Sequence, residues 1–504
     1  MKKIVPISLL SLFSLTLTGQ SSAVRLDSLF QSLEKYGQFN GNVLVSGKGS
    51  VIYEKSFGYA AFSDKKPITP ASRFSIGSVA KVFTSVAILQ LKEKRKLDLN
   101  DPVVKYITAF PYSGITIRHL LTHTSGLPDY ELYGKLVDEN PQQIFTNNDI
   151  LPALEKWTKP LYFLPGEKWQ YANTNYSLLA MIVEKVSRTR FSSYVSKFIF
   201  QPAKMSSSYF LTDKPIGSAD PDLVVNHQYP ALFDSLPVDV TAIAKLRWRT
   251  YNLNGFTGQG NVVTTARDLQ NFDQALHTGK LLKNVTLAEA FLPATLNNGE
   301  VVNADIGIGK MSYGLGWFIF ADTTAGKIVG HGGGVPGAVS IFLRNISKNQ
   351  LVVVLDNRFS DGIYRTGVNA MKVLNDKVLT IRKKSLAPEY GIALINKGPA
   401  VAFARLVQLK SDSLHYYVDE EQLNLLGYQL LYESKLKNAQ QLSLEVFKVN
   451  MLLFPYSYNV YDSYGEALLK SGHKEEAILM YRKALEINPG NKESKEALEK
   501  ILAN

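Results

Sequence analysis

The spacing of apolar positions changes several times along the chain. Residues 25–36 carry apolar positions at helical spacing, and 41–46 and 51–60 then read as two strands joined at Gly47-Lys48-Gly49. A long apolar helix is predicted from near Ser78, carrying Val82, Ala87, Ile88 and Leu91. The middle of the chain, to about Leu296, consists of helical segments broken by Pro and Gly. Strand patterns return at 313–320, 327–330, 338–345 and 351–356. Strands at both ends with helices between them predict an α+β domain whose sheet is completed when the chain returns. They do not predict a βαβ alternation.

The texture changes after Asp376. Residues 377–388 are basic and end in Pro388, which reads as a linker, and 389–504 read as helix pairs. Phe447 and Pro455 recur as Tyr481 and Pro489 at a 34-residue spacing. Residues 458–491, with Tyr461, Gly465, Gly472, Ala477, Tyr481, Ala484 and Pro489, resemble a tetratricopeptide repeat. The preceding unit matches less well, with Asn450 where a small residue belongs. The organisation expected is a leader over 1–23, a main domain over 24–376, a linker and an α-helical tetratricopeptide-like module. That module is expected to be dispensable for chemistry and to offer a surface for a protein partner.

Composition narrows the classes. A 504-residue chain with 45% hydrophobic and 20% charged residues has ordinary globular composition, not that of a disordered, fibrous or membrane-bundle protein. Cysteine is absent, which excludes disulfides, thiolate metal sites and cysteine nucleophiles. The formal charge of +12 includes Lys2 and Lys3, which precede an apolar run to Leu17 and the small residues Ser21-Ser22-Ala23. This pattern is that of a secretory leader cut after Ala23. It predicts an exported protein, periplasmic or extracellular, with no membrane span after cleavage. The basic residues lack the interleaved aromatics of a nucleic-acid surface, so no nucleic-acid partner is expected.

Ser78-Val79-Ala80-Lys81 opens the long helix. A spacing of three puts Lys81 on the face of Ser78, and a lysine in an apolar helix face tends to lose its charge and can act as a base. The same spacing at Ser32, Ser63, Ser434 and Ser471 lacks that context. Tyr171-Ala172-Asn173 precedes another helix. His331-Gly332-Gly333-Gly334 ends one strand and precedes another, so its glycines allow close backbone approach by a ligand and do not form a dinucleotide fingerprint. His119 and His123 stand four apart on a predicted helix without the carboxylate of a zinc-protease motif. They read as structural, and no metal or cofactor is expected.

In combination and in order, Phe74-Ser75-Ile76-Gly77-Ser78-Val79-Ala80-Lys81, Leu120-Leu121-Thr122-His123-Thr124-Ser125-Gly126-Leu127, Tyr171-Ala172-Asn173 and His331-Gly332-Gly333 resemble the serine β-lactamase and penicillin-binding-protein superfamily, in its class C-related branch. The resemblance implies a β-lactamase/transpeptidase-like antiparallel sheet flanked by helices, with an all-helical lobe. It implies Ser78 as nucleophile, Lys81 and Tyr171 sharing the base role, and Asn173, His331 and Gly333 at the substrate. The backbone N–H groups of Ser78 and Gly334 would form the oxyanion hole. True β-lactamases of this branch carry lysine where this chain has His331. The expectation is therefore an exported serine hydrolase acting through an acyl-enzyme on an ester, an amide or a D-amino-acid peptide. The alternatives are a β-lactamase proper, or a non-hydrolysing penicillin-binding sensor that recruits partners through its repeats.

Overall fold

Apolar runs covered on both sides form the centre of the sheet. The computed structural model describes residues 21–214, 218–304, 310–321, 324–359, 362–380 and 383–503. In β1 (Gly41–Gly47), Val43 and Val45 enter one core and Leu44 the other. The hairpin partner β2 (Ser50–Ser56) is less covered, as befits an edge strand. Late in the chain come β3 (Met311–Tyr313), β4 (Phe318–Phe320), β5 (Ile328–Val335), β6 (Ala338–Asn345) and β7 (Gln350–Asp356). In β7, Val352 and Val354 join the core of Val43, while Leu351, Val353 and Leu355 join that of Leu44. Alternation at period two thus assigns successive side chains to two different cores.

Among the described residues the sheet runs β3-β4-β5-β6-β7-β1-β2, antiparallel throughout, with Gly41 opposite Asp356 and Gly47 opposite Gln350 where the two chain ends meet. Helices α1 (Ser22–Lys35) and, late in the chain, α5 (Ile363–Leu374) cover one face through Leu26, Phe30, Ile363 and Met371. On the other face lie α2 (Lys81–Glu93), α3 (Asn173–Ser187), α4 (Ala266–His277) and the irregular helical lobe. This is a β-lactamase-like fold: an antiparallel sheet flanked by helices, followed by an all-helical region.

Four local expectations change. Residues 313–320 form two strands of a hairpin, because the chain turns through Gly314 and Gly316. The strand expected over 51–60 stops at Ser56 and a separate short strand, Tyr59–Ala61, follows. The strand patterned over 327–330 runs on through His331-Gly332-Gly333-Gly334 to Val335. The helix expected to carry both His119 and His123 is only Ile117–Leu121, and His123 beyond it has a φ of 57°. Most of the expected leader, residues 1–20, lies outside the described residues, and Ser22 and Ala23 open α1. No helix among the described residues is long and apolar enough to cross a membrane.

The C-terminal helices run from Ala387 to Ala503, so the first of them begins inside the segment read as a linker. Their core holds Leu394, Leu406, Leu423, Leu426, Leu430 and Val446, and Leu232 and Phe233 of the preceding domain pack against it. The Leu232 N–H donates to Gln429 Oε1 at 2.8 Å, Lys245 pairs with Glu433 at 3.0 Å, and the Tyr36 and His415 rings stack at 4.6 Å. A chain ended at Lys383 would uncover Leu232 and Phe233, which changes the expectation for a truncation. We expect it to lose on the order of 2 kcal/mol of stability, from apolar surface returned to water. A lowered Tm relative to the full chain would show this, and an unchanged Tm would mean that the contact is idle.

Candidate active site

Ser78 is placed by two close approaches. The 3₁₀ turn Gly77–Ala80 leads into α2 and lies against β5. Gly77 adopts φ 49°, and a Cβ there would stand 2.9 Å from the backbone nitrogen of Gly334. On β5, a Cβ on Gly333 would run into the Ile76 carbonyl oxygen and lie 2.6 Å from Ser340 Oγ and 2.9 Å from the Ser78 nitrogen. The absence of both side chains lets strand and turn touch. Ser340 secures the turn by donating its hydroxyl to the Ile76 carbonyl at 2.7 Å. Ser78 stays partly exposed and, with Asn173 and Gly334, lines a cleft of about 400 Å³.

Lys81, one turn on, is fully buried. Its Nζ lies 3.0 Å from Ser78 Oγ, 2.7 Å from Asn173 Oδ1 and 2.8 Å from the Gln259 carbonyl oxygen. Burial disfavours the ammonium and brings its pKa down to about 7, against the opposing pull of Asp129. A neutral amine has two hydrogens and one lone pair. The ammonium donates to all three oxygens; once it is neutral, the two carbonyl-type acceptors can keep its hydrogens and the lone pair can accept from the Ser78 hydroxyl.

Asn173 is held by a residue that sequence reasoning missed. Asp129 accepts from the backbone N–H groups of Asn173 at 2.7 Å and Thr174 at 3.2 Å, and from Asn173 Nδ2 at 2.9 Å. A carboxylate at the N-terminus of α3 meets unpaired N–H groups and the positive end of the helix dipole. The donation to Asp129 fixes the Asn173 amide so that its oxygen faces Lys81. The Gln259 side chain accepts from the Tyr130 hydroxyl at 3.0 Å, which tethers the loop that supplies the carbonyl to Lys81. Asp129 stands two residues past the Leu120–Leu127 segment with no pattern of its own, and a backbone carbonyl has no sequence signature. Only the flanking Gly258 and Gly260 hinted at a close approach there.

Tyr171 comes next to these groups. Its hydroxyl is hydrogen-bonded to that of Ser78, but burial dominates and raises the phenol well above its usual range. Lys81 Nζ lies 5.0 Å from its ring centroid, and the His123 ring stands 4.3 Å behind it. His123 Nδ1 accepts from the Ala172 N–H at 3.3 Å and faces Asn175 Nδ2 at 3.1 Å, so it props the Tyr171 segment. His119 instead accepts from the Thr116 N–H at 3.2 Å. The two histidines therefore serve different local structures.

His331 is placed differently from a substrate contact. It is 1% exposed, and both ring nitrogens are engaged inside the protein. Nδ1 donates to the Gly332 carbonyl at 2.6 Å, and Nε2 accepts from the Tyr313 hydroxyl at 3.0 Å. Burial, reinforced by the charge of Lys81, lowers its pKa to about 3, so the ring is neutral throughout the physiological range. In this structure the His331 ring holds Tyr313 beneath the site. Gly333 acts through the close approach of β5. Asn173 lines the cleft while its amide spans Lys81 and Asp129.

A family model described as Beta-lactamase matches residues 26–369, which stops short of the C-terminal helices. Penicillin-binding protein 4* of Bacillus subtilis (strain 168) is 34% identical over 351 residues, 69% of this chain and 75% of that protein. The solved structure of a penicillin binding protein from Bacillus halodurans superposes with a TM-score of 0.58 at 27% identity, covering 69% of this chain and 98% of that one. D-amino acid amidase from Ochrobactrum anthropi SV3, solved with L-phenylalanine amide, shares the fold with a TM-score of 0.58 at 21% identity, over 71% of this chain and 99% of the amidase.

Proposed function

Because this chain belongs to the Beta-lactamase family, among relatives that include penicillin-binding proteins, we propose that it is a serine hydrolase that forms an acyl-enzyme at Ser78. The observation that carries this reading is the placing of Lys81 Nζ within 3.0 Å of Ser78 Oγ, Asn173 Oδ1 and the Gln259 carbonyl oxygen, since a neutral amine there can give its hydrogens to the last two and accept from Ser78. In the first half-reaction Ser78 Oγ bonds to the substrate's acyl carbon while its proton passes to Lys81. The bond to the leaving oxygen or nitrogen then breaks, and that atom takes a proton relayed through the Tyr171 hydroxyl. Water splits the ester in the second half-reaction by the same groups in reverse. Tyr171, with its raised pKa, works here as a phenol that passes a proton and not as a standing phenolate base. The Ser78 and Gly334 N–H groups would hold the developing oxyanion.

The substrates we propose are esters, amides and D-amino-acid peptides. A neutral His331 supplies no fixed cation, which disfavours efficient β-lactam turnover. The proposed setting is outside the cytoplasm, after cleavage of the leader. Intact-mass spectrometry after a fluorophosphonate should show one adduct, absent from Ser78→Ala. Equal labelling of that variant would refute the assignment. On a p-nitrophenyl ester, kcat/KM should rise about tenfold per pH unit up to about 7 and then level, because only the neutral amine of Lys81 can accept the proton. A profile that falls with pH through that region would contradict Lys81 as base. Stable labelling by penicillin without turnover of any ester or amide would favour the sensor alternative.

A further inference from the structure

A hairpin joins the C-terminal helices to the cleft. Its stem pairs His227–Gln228 with Val238–Asp239, and its tip carries Leu232 and Phe233. The tip packs into the core of the C-terminal helices. There the Leu232 N–H donates to Gln429 Oε1 at 2.8 Å, and the Phe233 Cβ sits so close to Gly391 that a side chain at Gly391 would stand 3.3 Å from it. Gln429 is itself buried. The base of the hairpin, Asp239-Val240-Thr241, lines the same cleft as Ser78.

The base is also fastened to the turn that follows β5 and to the residue that follows β7. The His227 N–H donates to the Gly337 carbonyl at 3.2 Å and to that of Asn357 at 2.8 Å, and the Val240 N–H donates to the Asn226 carbonyl at 3.0 Å. Val240 Cγ1 crowds Gly337, in the turn that follows Gly334-Val335-Pro336, and these three residues line the cleft as well. One end of the hairpin is therefore gripped by helices that lie outside the family match, and the other forms a wall facing Ser78.

We propose that the C-terminal helices hold this hairpin as a clamp, with Phe233 as the positioning residue, and that the clamp sets affinity for substrates long enough to reach the wall at 239–241. The inference rests on the hydrolase reading above. A two-stranded hairpin is marginal alone, so its geometry depends on what holds the tip. Removing the Phe233 ring strips an apolar contact between the tip and the helical core and loosens the tip, and misplacement of the wall is felt where a substrate touches it. A short acyl group that occupies only the Ser78 end is insensitive to it.

The test uses the full chain with Phe233→Ala, Phe233→Leu and Gln429→Ala. Kinetics are read on p-nitrophenyl acetate and on the p-nitrophenyl ester of N-benzoyl-D-phenylalanine. Phe233→Ala should raise KM for the long ester roughly tenfold or more. It should leave kcat for that ester and all constants for the acetate within about twofold, and Phe233→Leu should restore most of the affinity. Gln429→Ala, a milder change, should shift KM in the same direction. Equal effects on both esters, or none on either, would overturn the clamp.

Hydrogen–deuterium exchange gives a readout that does not depend on activity. Amides of residues 238–241 should exchange faster in Phe233→Ala than in the parent, and unchanged protection would also overturn the proposal. If Ser78 fails to label in the parent, the hydrolase reading falls and the exchange result still decides the clamp.

Discussion

Lys81→Met should lower acylation of Ser78 by roughly 10²–10⁴-fold, the range that a positioned general base contributes. Methionine suits the pocket: it is unbranched, apolar and close to lysine in length, and Lys81 is fully buried at the start of α2. The substitution removes a desolvated amine but leaves the Asn173 and Gln259 oxygens without their donor. These effects oppose each other in stability, so Tm should move little while acylation collapses. Stopped-flow acylation with a chromogenic ester, beside a thermal melt, separates the two. Ser78→Ala/Lys81→Met should be no slower than Ser78→Ala alone, since groups that act as one unit fail together. A Lys81→Met chain that acylates within about tenfold of the parent would refute Lys81 as the general base.

Gly333→Ala should cost roughly 10²–10³ in kcat, the loss expected when an oxyanion donor is displaced. The new Cβ would meet the Ile76 carbonyl oxygen, Ser340 Oγ and the Ser78 nitrogen, two of them backbone atoms that cannot turn aside. Strand β5 and the Ser78 turn must therefore separate, and the Gly334 nitrogen moves with the strand. The neighbouring position supplies the control. A Cβ on Gly334 has its nearest neighbour at 3.7 Å, the Tyr364 hydroxyl, which is an ordinary contact. Gly334→Ala should stay within a few-fold of the parent. Comparable losses in both variants, with Tm unchanged, would mean that the effect is not the steric one argued here.

The two-core sheet was legible because its central strands are apolar runs bounded by turns, and a run of that kind is stable only when covered on both faces. The hairpin at 311–320 was not legible as two strands. Gly314 and Gly316 sit in a short apolar sequence that suits an extended strand equally well, and what bends the chain there is the approach of Gly316 to Ser85 on α2. The strand patterned over 327–330 is short of β5 for a related reason. A glycine run carries no apolar alternation to mark its extent, yet the ladder to β6 continues through Val335 opposite Ala338.

At the site, Ser78 and Lys81 could be read together because three residues of helix bring them to one face, a local geometry that any helix imposes. Tyr171 and Asn173 were legible as a motif, but their tasks were not. Asn173 turns its oxygen to Lys81 because Asp129, 44 residues earlier, takes its amide hydrogens. His331 reads from sequence as a titratable group near neutrality, and burial against Tyr313 removes its charge. Sequence alone determined the composition, the period of each segment and the reactive groups in their order, since these follow from covalent neighbours. Which lysine hydrogens are taken, which histidine stays neutral and what holds the cleft wall were decided by groups far apart in the chain. A pKa or a hydrogen-bond direction depends on the dielectric and the partners within a few ångströms, and only folding chooses those neighbours.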